Sequence, residues 1–180
     1  MSNGKNGKQN EDNSARESIT REELAKLLNE DLAREYQAVI AYVQYSQVLK
    51  GAQYVAIAKE LEQHASEELD HALKICKQID YLGETPTVTP KLVKTSDKAE
   101  DMLRFDLDNE NETVRNYRER VRQAEALGEY AMAEVLRGIL VQEQDHQIDL
   151  ATALGIDVPK EGLANASSDV LPVRDVAAHR

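Results

Sequence analysis

Residues 68–71 read Glu-Leu-Asp-His and residues 143–146 read Glu-Gln-Asp-His, so a Glu-x-x-His spacing occurs twice. Three residues is nearly one helical turn, and on a helix each carboxylate would share a face with its imidazole. Each pair follows a lone glutamate, Glu35 or Glu110, after the same gap of 33 residues. Carboxylate oxygen and imidazole nitrogen suit iron or manganese, and zinc can compete for them. A carboxylate can bridge two ions while the histidine beside it caps one. Glu35, Glu68, His71, Glu110, Glu143 and His146 are therefore candidate ligands for two divalent ions.

Helices have to carry these residues. Thr20-x-x-Glu23 is a capping-box pattern ahead of an apolar-periodic stretch, which predicts a helix running to about residue 50. Gly51 interrupts it. A second helix is expected over about residues 53–82, ending at Gly83. Residues 84–97 contain Pro86, Pro90 and several threonines and read as an extended connection. A third helix is expected over about 98–127 and a fourth over about 129–154, closed by Gly128 and Gly155. Short links make the first and last pairs antiparallel hairpins. The middle connection, about 14 residues, spans roughly 46 Å when extended. A helix of about 28 residues is roughly 42 Å long. The connection can therefore cross the whole bundle, giving an all-α four-helix bundle of two hairpins joined by a long crossover.

Steps of four and three trace one seam per helix. They are Leu28, Leu32, Glu35, Val39, Tyr42; Ile57, Leu61, His64, Glu68, His71, Ile75; Leu103, Leu107, Glu110, Val114, Tyr117, Val121; and Met132, Leu136, Ile139, Glu143, His146, Leu150. Every seam is apolar at its ends and carries a carboxylate near its middle. No Lys or Arg lies in any of them. Four buried carboxylates would repel one another unless cations neutralised them. Adding 75 to Glu35, Tyr42, Glu68, Asp70 and His71 gives Glu110, Tyr117, Glu143, Asp145 and His146, so the hairpins read as copies.

This pattern resembles the ferritin superfamily, and bacterioferritin most closely, over about residues 19–154. Residues 101–107, Asp-Met-Leu-Arg-Phe-Asp-Leu, add to the likeness. The resemblance implies that Glu68 and Glu143 bridge two irons per subunit, that Glu35 and His71 complete one, and that Glu110 and His146 complete the other. Manganese or zinc would be substitutes. In that family a methionine ligating haem would fall where this chain has Leu69, so no haem is expected. The family's short fifth helix is not evident in residues 156–180, which argues against a 24-subunit cage and leaves a 12-subunit mini-ferritin shell equally open. The activity implied is a ferroxidase: Fe(II) gives electrons to O2 or H2O2, for iron storage or detoxification. The alternative is a redox enzyme that keeps its metals, rubrerythrin-like or manganese-catalase-like, although a Cys-rich rubredoxin domain is absent. A non-catalytic adaptor with long polar tails is a third reading.

Composition narrows the partners. A formal net charge of −11 disfavours nucleic acid and anionic lipid and favours cations. The single cysteine, Cys76, excludes an intrachain disulfide and a Cys-based zinc site. No apolar run reaches the roughly 18 residues of a membrane span. Residues 1–18 are polar, without the apolar core of a signal peptide, so a cytoplasmic homo-oligomer with tails at 1–18 and 156–180 around a 19–155 bundle is expected. Tyr42 and Tyr117 are read as core aromatics, His64 as a core or inner-surface histidine, and Cys76 as a buried inert thiol. Glu67 and Gln142 are read as solvated surface, with a place behind the ligands or on an iron entry path as the alternative.

Overall fold

The computed structural model describes residues 19–158. The expected tails, 1–18 and the part of 156–180 beyond residue 158, lie outside the described residues. Four helices are present: α1 (Arg21–Val48), α2 (Val55–Tyr81), α3 (Ala99–Ala126) and α4 (Tyr130–Leu154). Both halves of the capping box form at the start of α1, with Thr20 N–H on Glu23 at 2.7 Å and Glu23 N–H on Thr20 Oγ1 at 3.1 Å. The second helix departs from the expectation. Ala52–Tyr54 make a 3-10 turn first, and regular α-helix begins at Val55. Gly51 enters that turn at φ 127°, a conformation that side-chain-bearing residues rarely adopt. Among the described residues no helix is long and apolar enough to cross a membrane.

Cross-helix contacts give the topology. Between α1 and α2, Tyr36 meets Cys76 and Gln47 meets Glu62. Between α1 and α3, Asp31 meets Arg120 and Tyr42 meets Glu110. Between α2 and α4, His64 meets Asp149 and His71 meets Gln142. In each pair of helices one residue number rises as the other falls, so neighbours are antiparallel. Helices α2 and α3, both antiparallel to α1, must then run parallel, which requires a connection the length of the bundle. The crossover lies along α1. Asn29 donates to the Thr85 carbonyl at 3.2 Å and accepts Thr87 N–H at 2.7 Å. Lys91 N–H reaches the Ala33 carbonyl at 2.9 Å, and Gln37 reaches the Leu92 carbonyl at 2.7 Å. The Tyr45 hydroxyl donates to the Lys94 carbonyl.

The core is two apolar clusters with a polar layer between them. One contains Leu28, Leu32, Ile75, Ile79, Tyr117, Leu136 and Ile139; the other contains Tyr42, Ile57, Leu61, Leu103, Leu107 and Leu150. The seams expected on α2, α3 and α4 are buried throughout. On α1, Val39 is only half-buried, and Ala41 and Tyr45 are buried instead. The buried face of α1 turns toward the crossover, to which Tyr45 is bonded. The seams carry no basic residue, but the core beside them does. Arg120 is buried beside the third seam, with Nε 2.6 Å from Asp31 Oδ2. A buried arginine is tolerated because the paired carboxylate neutralises it, and Gln123 takes a further N–H at 3.1 Å.

Candidate metal centre

All six candidate ligands meet in the polar layer, each at most 2% exposed. They form two overlapping groups whose donor atoms lie within 4.8 Å of one another: Glu35, Glu68, His71, Glu143, and Glu68, Glu110, Glu143, His146. Glu68 and Glu143 belong to both groups. His71 Nδ1 lies 2.9 Å from Glu143, 3.3 Å from Glu68 and 3.5 Å from Glu35. His146 Nδ1 lies 2.9 Å from Glu68 and 3.7 Å from Glu143. Each histidine thus turns Nδ1 to the carboxylates and Nε2 outward.

The outer groups obey the same 75-residue offset. The Tyr42 hydroxyl donates to Glu110 Oε1, and that of Tyr117 donates to Glu35 Oε1. Each tyrosine occupies one oxygen and leaves Oε2 of Glu110 and of Glu35 without a hydrogen-bond partner. Both oxygens of Glu143, Oε1 of Glu68 and Nδ1 of His146 are likewise buried, and their close polar contacts are confined to one another and His71 Nδ1. Buried polar atoms left this way in one cluster are costly unless an ion completes them. The donor set, oxygens with one imidazole per group, fits iron, manganese or zinc.

Proton positions show the same demand for positive charge. Burial, reinforced by the charges of Glu143 and Glu68, pushes the carboxyls of Glu35 and Glu110 well above the usual range. Burial opposes ionisation of Glu68 as well, but hydrogen bonds from His146, His71 and Glu35 outweigh it and hold that carboxyl low. Burial also works against charge on the histidines. It is overcome by Glu143, Glu35 and Glu68 at His71, and by Glu143 and Glu68 at His146, whose pKa rises to about 12. The tyrosines stay neutral, raised by burial and then by the charge of Glu110 or Glu35.

Several residues near the centre lie outside the six candidate ligands. Glu67 and Gln142, read as solvated surface, accept from the outer nitrogens: Glu67 Oε2 lies 2.8 Å from His146 Nε2, and Gln142 Oε1 lies 3.0 Å from His71 Nε2. His64 is buried as expected and stacks on His146 with ring centroids 4.0 Å apart. His64, Glu67 and His146 also come within reach of one ion, at a cleft that Asp145 and Asp149 help to line. Asp106 is 2% exposed and its Oδ2 has no partner. It is the repeat counterpart of Asp31, and the counterpart of Arg120 is Tyr45, so no arginine meets it. The offset from 31 to 106 and from 67 to 142 was the signal available in the sequence. Cys76 is half-buried rather than buried, with Sγ 3.5 Å from the Tyr36 hydroxyl.

Comparison with known proteins follows this geometry. A sequence model of the ferritin-like domain matches residues 25–157. A bacterial ferritin of Synechocystis is 28% identical over 145 residues, 79% of this chain and 90% of that protein. A crystal structure described as ferritin-like, diiron-carboxylate proteins from Bacillus anthracis superposes with a TM-score of 0.72 at 33% identity, covering 74% of this chain and 96% of the other. A dodecameric thioferritin, the bacterioferritin-related protein from Bacteroides fragilis, superposes with a TM-score of 0.71 at 25% identity, covering 77% of this chain and 88% of the other.

Proposed function

The chain belongs to the ferritin-like domain family, and from that premise we propose that it is a ferroxidase that binds two Fe(II) ions and passes one electron from each to O2 or H2O2. One observation carries this reading: Glu68 and Glu143 are each shared by both ligand groups. Two ions held against common carboxylates can be oxidised as a pair, supplying the two electrons that convert O2 to H2O2, or H2O2 to water, with protons drawn from solvent. The four carboxylates favour Fe(III), a hard cation of higher charge, over Fe(II). Tyr42 and Tyr117 orient the terminal glutamates, while the apolar clusters above and below keep the layer dry. Manganese or zinc would occupy the same donors, and oxidised iron would pass on to storage.

The protein is proposed to work as a homo-oligomer, as the dodecameric relative does. Exposed Ile40 and Val43 of α1 lie level with exposed Leu69 and Leu73 of α2, an apolar face suited to a second copy. Stopped-flow absorbance after two Fe(II) per chain, with O2 and separately with H2O2, tests the activity, and light scattering tests the assembly. Rapid oxidation with iron released to a mineral supports storage. Turnover of peroxide with metals retained would instead support a rubrerythrin-like or manganese-catalase-like enzyme, and no oxidation at all would defeat the reading.

A further inference from the structure

Adding 75 maps one half of the centre onto the other, and the halves differ at the acceptor behind each histidine. Behind His146 stands Glu67; at the equivalent place behind His71 stands Gln142. Glu67 is held for this contact, because its other oxygen accepts from Gln63 at 2.9 Å. His64, stacked on His146, has Ile139 as its counterpart, a member of the first apolar cluster.

With an ion on Nδ1, each imidazole keeps its proton on Nε2 and donates it outward. A carboxylate acceptor draws that proton more strongly than an amide does and makes the imidazole a better donor to the metal. We infer that the two ion positions are unequal: the one formed by Glu68, Glu110, Glu143 and His146 fills first and holds its ion more tightly, because Glu67 and Gln142 differ. This rests on the dinuclear reading above. Glu67 and Gln142 act as positioning residues, through the histidines. Exchanging such outer partners commonly changes metal affinity about 10- to 100-fold, which sets the size of the expected difference.

The test titrates the metal-free full chain with Co(II) without oxygen, following the visible cobalt bands. Crystals grown at one equivalent are read by anomalous scattering at the cobalt edge. The parent protein should show cobalt beside His146, with the second equivalent bound about 10-fold or more weakly. Glu67→Gln alone leaves two amide acceptors and should bring the affinities together. Glu67→Gln combined with Gln142→Glu conserves composition and charge and should move the first cobalt beside His71. Equal occupancy in the parent protein would overturn the inference, as would an order that the exchange leaves unchanged. Cobalt between His64 and Glu67 outside the layer would overturn it too. Two ions bound without order would remove this inference alone, whereas no cobalt uptake would remove the dinuclear reading with it.

Discussion

Loading the centre with divalent ions should expel protons, and the number follows from the groups in the layer. At neutral pH the metal-free protein holds a proton beyond the neutral ring on His71 and on His146, whose pKa lies near 12. Burial, then the charges of Glu143 and Glu68, shifts the carboxyls of Glu35 and Glu110 in the same direction, toward the protonated form. A bound ion needs a neutral imidazole and an ionised carboxylate. Two divalent ions bring four positive charges, and at least the two imidazolium protons leave, about one per ion. Affinity should therefore rise with pH, by about 10-fold per unit for each ion where the imidazoles are protonated beforehand. Calorimetric titration with Co(II) in two buffers of different ionisation enthalpy reads the count from the difference in heat. Fewer than about one proton per ion, or binding that does not change between pH 6 and pH 8, would refute the assignment of these protons. The metal-free fold has the opposite dependence at the histidines. Their folded pKa values lie above the ordinary imidazole value of 6.5, so their contribution is complete below that pH and is lost as pH climbs through the raised values.

Glu68→Gln keeps shape and removes one shared charge, so the second ion should bind poorly and fast paired oxidation should disappear. Metal-free thermal stability should fall, because ionised Glu68 faces the protonated His71 and His146 at 3.3 and 2.9 Å, and Tyr42→Phe should change occupancy far less; equal oxidation rates in Glu68→Gln and the parent would sink the shared-ligand role. Arg120→Met strands the buried Asp31 carboxylate and should cost about 3–5 kcal/mol in denaturant titration. Asp106→Asn should match or exceed the parent in metal-free stability at pH 7, since burial and then the charge of Glu68 push the Asp106 carboxyl well above 3.8. That penalty vanishes in acid, so the parent should catch up below about pH 4; a large loss at pH 7 would reveal a cationic partner for Asp106. With Leu69 where the haem-binding methionine would stand, protein expressed with ample haem should show no Soret band.

Much of this architecture could be read from one-dimensional spacing. The four seams and the crossover depend on periodicity within a helix and on the reach of a linker, and both are properties of a single segment. Four of the six central residues were legible because Glu-x-x-His lies within one turn, and Glu35 and Glu110 because each sits mid-seam at the same 33-residue gap. The residues that escaped depend on register between helices. Glu67 faces solvent by its position on α2, and only the antiparallel alignment with α4 brings it to His146. Asp31 and Arg120 are 89 residues apart, and only setting α1 beside α3 pairs them. Val39 fits the spacing rule but not the twist of α1 toward the crossover, a packing effect that no window on that helix records.

Each ligand group draws from both hairpins: the first takes Glu35 from α1, Glu68 and His71 from α2, and Glu143 from α4. Neither hairpin owns a complete set, and the second group divides in the same way. Ions bound there would act as a clasp, favouring the closed relation of two otherwise separate pieces through ordinary mass action. A chain opened within the crossover would become a two-part latch, its halves drawn together by the cation and parted by a chelator. The repeated hairpin thus contains the elements of a coincidence detector, in which closure requires both halves and the metal together.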